Sequence, residues 1–334
     1  MSRILIVSDA WQPQINGVVR TLSTISAELT TMGHVVEVIG PDRFMTLPCP
    51  SYPEIRLAMF PRRRLARLIR EFSPDSLHIA TEGPLGIAAR AWAVRNKMRF
   101  TTAFHTRFAE YLQARTRIPL RLSYAWLRRF HGAACGTMVA TASLRQDLES
   151  RGFRNIRAWS RGVDLGQFKP DPREEFDLPR PIFMYVGRIA VEKNIGSFLD
   201  LDLPGSKVVV GDGPQLVALK RKYPNVTFTG PRHGAALAKM YAGADVFVFP
   251  SRTDTFGLVL LEAMACGTPV AAYPVTGPLD VLTDPRVGGM DTDLRQAALA
   301  ALEGDRTACR LHAEMFSWRA SAESFLNHLE PIHA

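Results

Sequence analysis

The stretch DVFVFPSRTDTFGLVLLEAMACGTPVAA, Asp245–Ala272, decides the fold. Asp245–Pro250 is a short run of β-branched and aromatic residues, which suits a buried strand. A polar loop follows with Ser251, Thr253, Asp254 and Thr255, and an apolar helix then runs from Gly257 to Cys266. Thr268–Ala272 is the next strand. A strand, a covering helix and a second strand in that order imply a parallel sheet.

The same alternation extends in both directions. Towards the C-terminal half, strands are predicted at Pro181–Val186, Lys207–Gly211 and Asn225–Thr229, with helices at Pro214–Lys222 and Ala235–Ala242. Towards the start, strands fall at Arg3–Ser8, His34–Ile39, Ser76–Ala80, Phe100–Phe104 and Thr137–Thr141. Helices lie between them at Val18–Met32, Pro84–Lys97, Leu120–Ala133 and Ala142–Arg151. Between the two series, RGVDLGQFKPDPREEFDLPR (Arg161–Arg180) is polar, proline-rich and without a period, as a linker is. The chain's 334 residues also exceed one ordinary core. The expectation is an α/β protein of two doubly wound Rossmann-like domains, residues 1–165 and 166–315, with ligands in a cleft at the carboxyl ends of the strands. The segment 316–334 is expected to be a helix that returns to pack on the first domain.

Several classes are set aside. The apolar run at the N-terminus is four residues long and Asp9 follows, which fits a strand and not a signal peptide. No stretch has the length of a spanning helix. Cys49, Cys135, Cys266 and Cys309 are scattered, and neither they nor the eight histidines form a metal-binding spacing. A reducing cytosol with free thiols is expected. The net charge is +9, and residues 1–167 hold 24 Lys and Arg against 12 Asp and Glu. A one-sided basic surface attracts phosphate-bearing partners, or simply keeps a protein soluble.

Chemistry concentrates in a few places. A helix start presents free N–H groups and partial positive charge to an anion, and Gly257 lets the backbone come close. Asp254 and Glu262 are good acceptors for paired hydroxyls. Glu262 stands in an apolar helix, where an unpaired carboxylate is costly. The alternative is a helix cap at Asp254 and an ordinary helix glutamate at Glu262. In YVGRIAVEKN, Tyr185–Asn194, Arg188 and Lys193 follow a strand and suit a diphosphate clamp. VVVGDGP, Val208–Pro214, lacks the third glycine of a dinucleotide fingerprint, and a tight turn explains it equally well. The loop DAWQPQINGVVRT, Asp9–Thr21, ends at another helix start, and His105 sits just past a strand end.

Taken in order, NGV (Asn16–Val18), FHT (Phe104–Thr106), GR…EKN (Gly187–Asn194), GDGP (Gly211–Pro214) and PS…D-x-FG…LEAMACGTPV (Pro250–Val270) resemble the retaining glycosyltransferases of family 4, which have the two-domain GT-B fold. The resemblance spans nearly the whole chain. It implies that Arg188 and Lys193 bind the donor diphosphate and that amides of Thr255, Phe256, Gly257 and Leu258 hold phosphate and sugar oxygens. It further implies that Glu262 meets the ribose, Gly17 approaches the phosphates and His105 touches the donor sugar. The family usually has Glu-x7-Glu where this sequence has Asp254-x7-Glu262, which shortens one arm and bears on sugar selectivity. The implied reaction is front-face substitution, in which an acceptor hydroxyl displaces the nucleoside diphosphate with help from Arg188, Lys193, His105 and Asp254, with no covalent nucleophile, cofactor or required metal.

The chain is also similar to bacterial enzymes that glycosylate diacylglycerol or make sulfolipid. A lipid acceptor is therefore expected, with the protein peripheral on the inner face of the cytoplasmic membrane. The candidate contacts are Arg62, Arg63, Arg64 and Arg67 in PRRRLARLIREF, and Arg117, Arg121, Trp126 and Arg128 further on. A UDP-sugar is the expected donor, with GDP-mannose as the alternative. A soluble transferase acting on an oligosaccharide or small metabolite is the second reading. A nucleic-acid binder is a remote third, because no RRM, KH or helix-turn-helix signature is present.

Overall fold

The structure, a computed structural model, describes the chain except Ile15, Pro50, Ser51, Arg117, Glu175 and Ala334, with residues 52–54, 111 and 114–116 described by backbone alone. It divides into two compact units, Met1–Arg161 with Trp318–Ala334, and Gly162–Ser317.

The first unit runs β1 (Arg3–Val7), α1 (Gly17–Thr31), β2 (Val35–Ile39), β3 (Thr46–Cys49), β4 (Tyr52–Ala58), α2 (Arg62–Phe72), β5 (Ser76–Ile79), α3 (Pro84–Arg95), β6 (Thr101–Phe104), α4 (Phe108–Thr116), α5 (Leu120–His131), β7 (Gly136–Val139), α6 (Ala142–Ser150) and β8 (Ile156–Ala158). Its six-stranded parallel sheet has the order β2-β1-β5-β6-β7-β8. Ile4, Leu5, Ile6 and Val7 have no exposed surface, as a central strand covered on both faces requires. In α1, Val19, Leu22, Ile25 and Leu29 are buried at helical spacing, and Gly33 ends the turn at φ +87°. In α2 the stripe Leu65, Ile69 and Phe72 packs into the core with Leu85, Ala88 and Phe130.

The second unit runs β9 (Ile182–Val186), α7 (Ile195–Leu199), β10 (Ser206–Val210), α8 (Leu216–Lys222), β11 (Thr227–Gly230), α9 (Gly234–Gly243), β12 (Val246–Phe249), α10 (Leu258–Ala265), β13 (Val270–Ala272), α11 (Pro278–Val281), β14 (Gly288–Met290), α12 (Leu294–Ala301) and α13 (Arg306–Glu314). Its sheet order is β11-β10-β9-β12-β13-β14, and every pairing is parallel. The order reverses between β9 and β12, which makes their carboxyl ends the switch point of this sheet.

The last helix, α14 (Trp318–His328), belongs to the first unit and packs on α1. Phe325 sits 4.9 Å from the rings of both His78 and Trp159. Beyond it, Glu330 accepts from Arg99 at 2.6 Å and Arg157 at 2.5 Å, and Ile332 N–H donates to the Asp75 carbonyl.

The structure adds elements that the sequence reading did not place: the antiparallel hairpin β3–β4, the short edge strands β8 and β14, and the helices α4 and α7. Replacing Phe325 by Ala should cost about 3–5 kcal/mol, the usual effect of deleting a buried ring. Urea unfolding followed by tryptophan fluorescence measures it, and a loss below about 1 kcal/mol would show that α14 is dispensable for the first unit.

Candidate active site

The loops leaving β9 and β12 are latched together. Asn194, in the left-handed region at φ +53°, donates from Nδ2 to the Pro250 carbonyl at 3.1 Å. The Thr253 hydroxyl donates to the Glu192 carbonyl at 3.3 Å. These bonds bring Lys193 Nζ to 2.5 Å from Asp254 Oδ1, with both side chains largely covered. The other oxygen, Asp254 Oδ2, is buried and has no hydrogen-bond partner among the described residues. A buried acceptor left in that state costs about 1–3 kcal/mol. Asp254 does not cap α10. Gly257 holds that position at φ +86°, and as a glycine it brings no side-chain cap bond. A Cβ there would stand 3.1 Å from Phe249 and Leu260 atoms. Thr255 and Phe256 are buried, and Leu258 begins the helix.

Arg188 is half-buried on the same β9 loop, and its carbonyl accepts from the Tyr185 hydroxyl at 2.8 Å. The GDGP loop has a structural explanation. A Cβ on Gly211 would fall 1.9 Å from the Gly187 carbonyl oxygen, and one on Gly213 would fall 2.4 Å from that of Ile189. Its glycines let the β10 loop pack directly on the β9 loop that carries Arg188.

Glu262 is 4% exposed and accepts from the Tyr241 hydroxyl at 3.1 Å. Tyr241, fully buried in α9, is the partner that the apolar helix required, and no local sequence signal ties two residues 21 apart in separate helices. Asp254 and Glu262 thus have different partners.

Gly17 and His105 lie in the first unit. Gly17 is exposed at the start of α1, but Asn16 Oδ1 already accepts from the Val18 and Val19 amides at 3.0 Å each. Those two N–H groups are therefore occupied, which narrows the anion-ready helix start read from the sequence. Asp9 acts as a cap from a distance. Its carboxylate accepts from the Leu85 and Gly86 amides at the start of α3, at 2.8 and 3.2 Å, and from the Thr81 hydroxyl at 2.9 Å. Burial raises its pKa while those three bonds oppose the rise. His105 is half-buried past β6, with Nδ1 3.4 Å from Arg161 Nη2 and its ring edge-on to Trp159. Burial, then the Arg161 charge, lowers its pKa well below the ordinary histidine value.

The basic segments face outward. Arg62, Arg63, Arg64 and Arg67 are exposed on α2, where Arg67 lies 3.7 Å from Glu71 and Arg64 approaches the Phe44 ring. Arg121, Trp126 and Arg128 are exposed on α5, with Trp126 stacked on Phe130. Arg117 lies outside the described residues. Three apolar residues that the sequence reading did not single out stand beside these arginines. Phe60, at the turn into α2, is 90% exposed with φ +46°, Met45 is 79% exposed, and Leu122 on α5 is 56% exposed.

Residues 15–167 match Glycosyltransferase Family 4, and residues 180–302 match Glycosyl transferases group 1. The chain is 30% identical to the GDP-mannose-dependent alpha-mannosyltransferase of Mycobacterium tuberculosis (strain CDC 1551), covering 99% of this chain and 97% of that protein. The chain belongs to glycosyltransferase family 4. A sulfoquinovosyl transferase of Arabidopsis thaliana is 30% identical over 87% of this chain and 62% of its own length. A GDP-mannose-dependent alpha-(1-6)-phosphatidylinositol dimannoside mannosyltransferase of M. tuberculosis (strain H37Ra) is 27% identical over 97% of this chain and 95% of its own. Among solved structures, sucrose-phosphate synthase from Thermosynechococcus elongatus superposes with a TM-score of 0.76 at 20% identity, covering 98% of each chain. This family 4 glycosyltransferase has the GT-B fold of two Rossmann-like halves.

Removing the Tyr241 hydroxyl tests how the buried glutamate is held. Tyr241→Phe should lower stability by about 1.5–3 kcal/mol, the range for a hydrogen bond to a charged group. An unchanged urea midpoint would show that Glu262 has other sufficient partners.

Proposed function

We propose that this glycosyltransferase moves a hexose from a nucleotide-sugar to a membrane lipid, with retention, and that its donor is GDP-mannose. The observation that carries the donor site is the Lys193–Asp254 pair at the switch point of the second sheet. A cation suited to a diphosphate stands there beside a carboxylate whose second oxygen still needs a donor. A sugar hydroxyl donates and a phosphate oxygen accepts, so one glycosyl diphosphate satisfies both groups. Arg188 and Lys193 then stabilise the charge that builds on the leaving diphosphate, aided by the α10 start at Thr255–Leu258. Glu262 serves the ribose, Gly17 leaves room for the phosphates and His105 meets the sugar. No metal or cofactor takes part.

Two relatives matched over nearly their full length support GDP-mannose by name, and one of them is named for phosphatidylinositol dimannoside. The lipid acceptor rests also on Phe60, exposed just before the α2 arginines, and on exposed Met45, whose carbonyl accepts from the Met59 N–H. Each arginine near an anionic bilayer contributes about 1 kcal/mol, so a handful gives reversible docking.

A thermal-shift panel of nucleotide-sugars decides the donor. GDP-mannose at 100 times its Kd should stabilise by about 2.7 kcal/mol. A shift only with UDP-hexoses would replace it by the uridine donor. Lys193→Ala or Arg188→Ala should lower kcat about 10²–10³-fold in a folded protein, and near-normal turnover would refute the clamp. Turnover should survive EDTA; a loss restored by Mg²⁺ would overturn the metal-free mechanism. Co-sedimentation with phosphatidylglycerol vesicles at low salt should retain the protein and weaken with Phe60→Ser combined with Arg62→Ser and Arg63→Ser. No binding of the unaltered chain would sink the lipid acceptor.

A further inference from the structure

Arg161 ends the first unit and is 4% exposed. Its guanidinium carbon lies 3.9 Å from the Trp159 ring centroid, and its Nη1 donates to the carbonyls of Trp159 at 2.6 Å and Ser160 at 3.2 Å. No carboxylate of a described residue pairs with it. Its remaining directed contact is Nη2 to His105 Nδ1 at 3.4 Å. Guanidinium carries donors only. The Nδ1 atom facing it must therefore be the lone-pair nitrogen, and the single ring proton of neutral His105 must reside on Nε2.

The frame around this contact is buried and packed. Trp159 has no exposed surface, donates from Nε1 to the Ser321 carbonyl at 3.2 Å and is packed by Phe325. Its other neighbours include His105 itself, edge-on at 5.7 Å, and His78 at 6.0 Å. Besides burial, Arg161 and then His78 and His131 act to keep His105 unprotonated. His78, held near pKa 3 by burial and then by Arg161, is neutral at physiological pH. His131 bonds Thr102 through Nδ1 and faces Glu82 through Nε2.

We propose that Arg161 is a positioning residue: it locks His105 in the neutral Nε2–H form and so makes it a hydrogen-bond donor to a sugar hydroxyl oxygen, not a proton-transfer base. This rests on the reading of His105 as a donor-sugar contact. A neutral donor can follow a hydroxyl oxygen while the sugar gains positive character, whereas an imidazolium would repel that charge. Arg161 accordingly opposes protonation of His105 as well as fixing its tautomer.

The test is the two-bond ¹⁵N–¹H spectrum of histidine-labelled protein, with His105 assigned through His105→Gln. In the unaltered chain, Nδ1 should show as the unprotonated ring nitrogen and Nε2 as the protonated one, persisting below pH 6. Arg161→Met should release both features, mixing the tautomers and moving the titration up towards the ordinary histidine value, while kcat/KM for the donor falls at least tenfold. Arg161→Gln keeps an N–H for Nδ1 without the charge, so it should retain the tautomer and recover most of that loss. A proton on Nδ1 in the unaltered chain overturns the proposal, and so does an unchanged spectrum in both variants. Wild-type transfer by His105→Ala, with the spectra as expected, refutes instead the sugar contact on which it rests.

Discussion

In a parallel sheet every strand ends at the same edge, and the connecting helices leave that edge towards one face or the other. Where the strand order reverses, two adjacent strands send their loops in opposite directions, and a gap opens that neither loop fills. In the second unit that gap lies between β9 and β12. Lys193 comes from one loop and Asp254 from the other, 61 residues apart in sequence. Their contact depends on Asn194 and Thr253, which tie loop backbone to loop backbone. The glycines at 211 and 213 serve the same end, because any side chain there would push the neighbouring loop away.

The first unit meets a different problem, two buried charges of opposite sign. Asp9 is surrounded by donors, two of them amides that a helix start leaves without an internal partner. Its cost of burial is offset by bonds that α3 needs in any case. Arg161 has carbonyls, an aromatic face and an imidazole instead, and burial brings its pKa down to about 9. A guanidinium without a carboxylate is an expensive way to hold a backbone bend. That asymmetry separates Arg161 from the structural charges of the unit.

The legibility of this chain follows from periodicity. β9 and β12 are runs of wholly buried apolar residues, and α1 and α2 repeat theirs at helical spacing, so composition alone locates them. The hairpin β3–β4 contains Pro48 and Pro53, which read as loop. β14 is Gly-Gly-Met, with almost no side chain to show an alternation, and it is a strand because β13 lies beside it. The candidate site divides in the same way. The residue types at 188, 193, 254 and 262 announce chemistry locally, but their partners do not. Tyr241 reaches Glu262 from another helix, and Arg161 reaches His105 across 56 residues.

The aspartate at 254 gains a physical meaning from its ion pair. A carboxylate one methylene shorter than glutamate sits closer to its own backbone, and here Lys193 reaches in to 2.5 Å to meet it. The pairing uses one oxygen and leaves the other buried and unsatisfied. In the proposed donor complex the lysine is pulled two ways, towards Asp254 and towards the diphosphate. Any sugar that donates a hydroxyl to the free oxygen shares in holding the carboxylate and so sets where Lys193 can point. Sugar selectivity and leaving-group stabilisation would then be coupled through a single side chain. Hexoses that differ in the hydroxyl at that position would differ in kcat and not only in KM, because an interaction that reorients a transition-state charge partner acts on the chemical step.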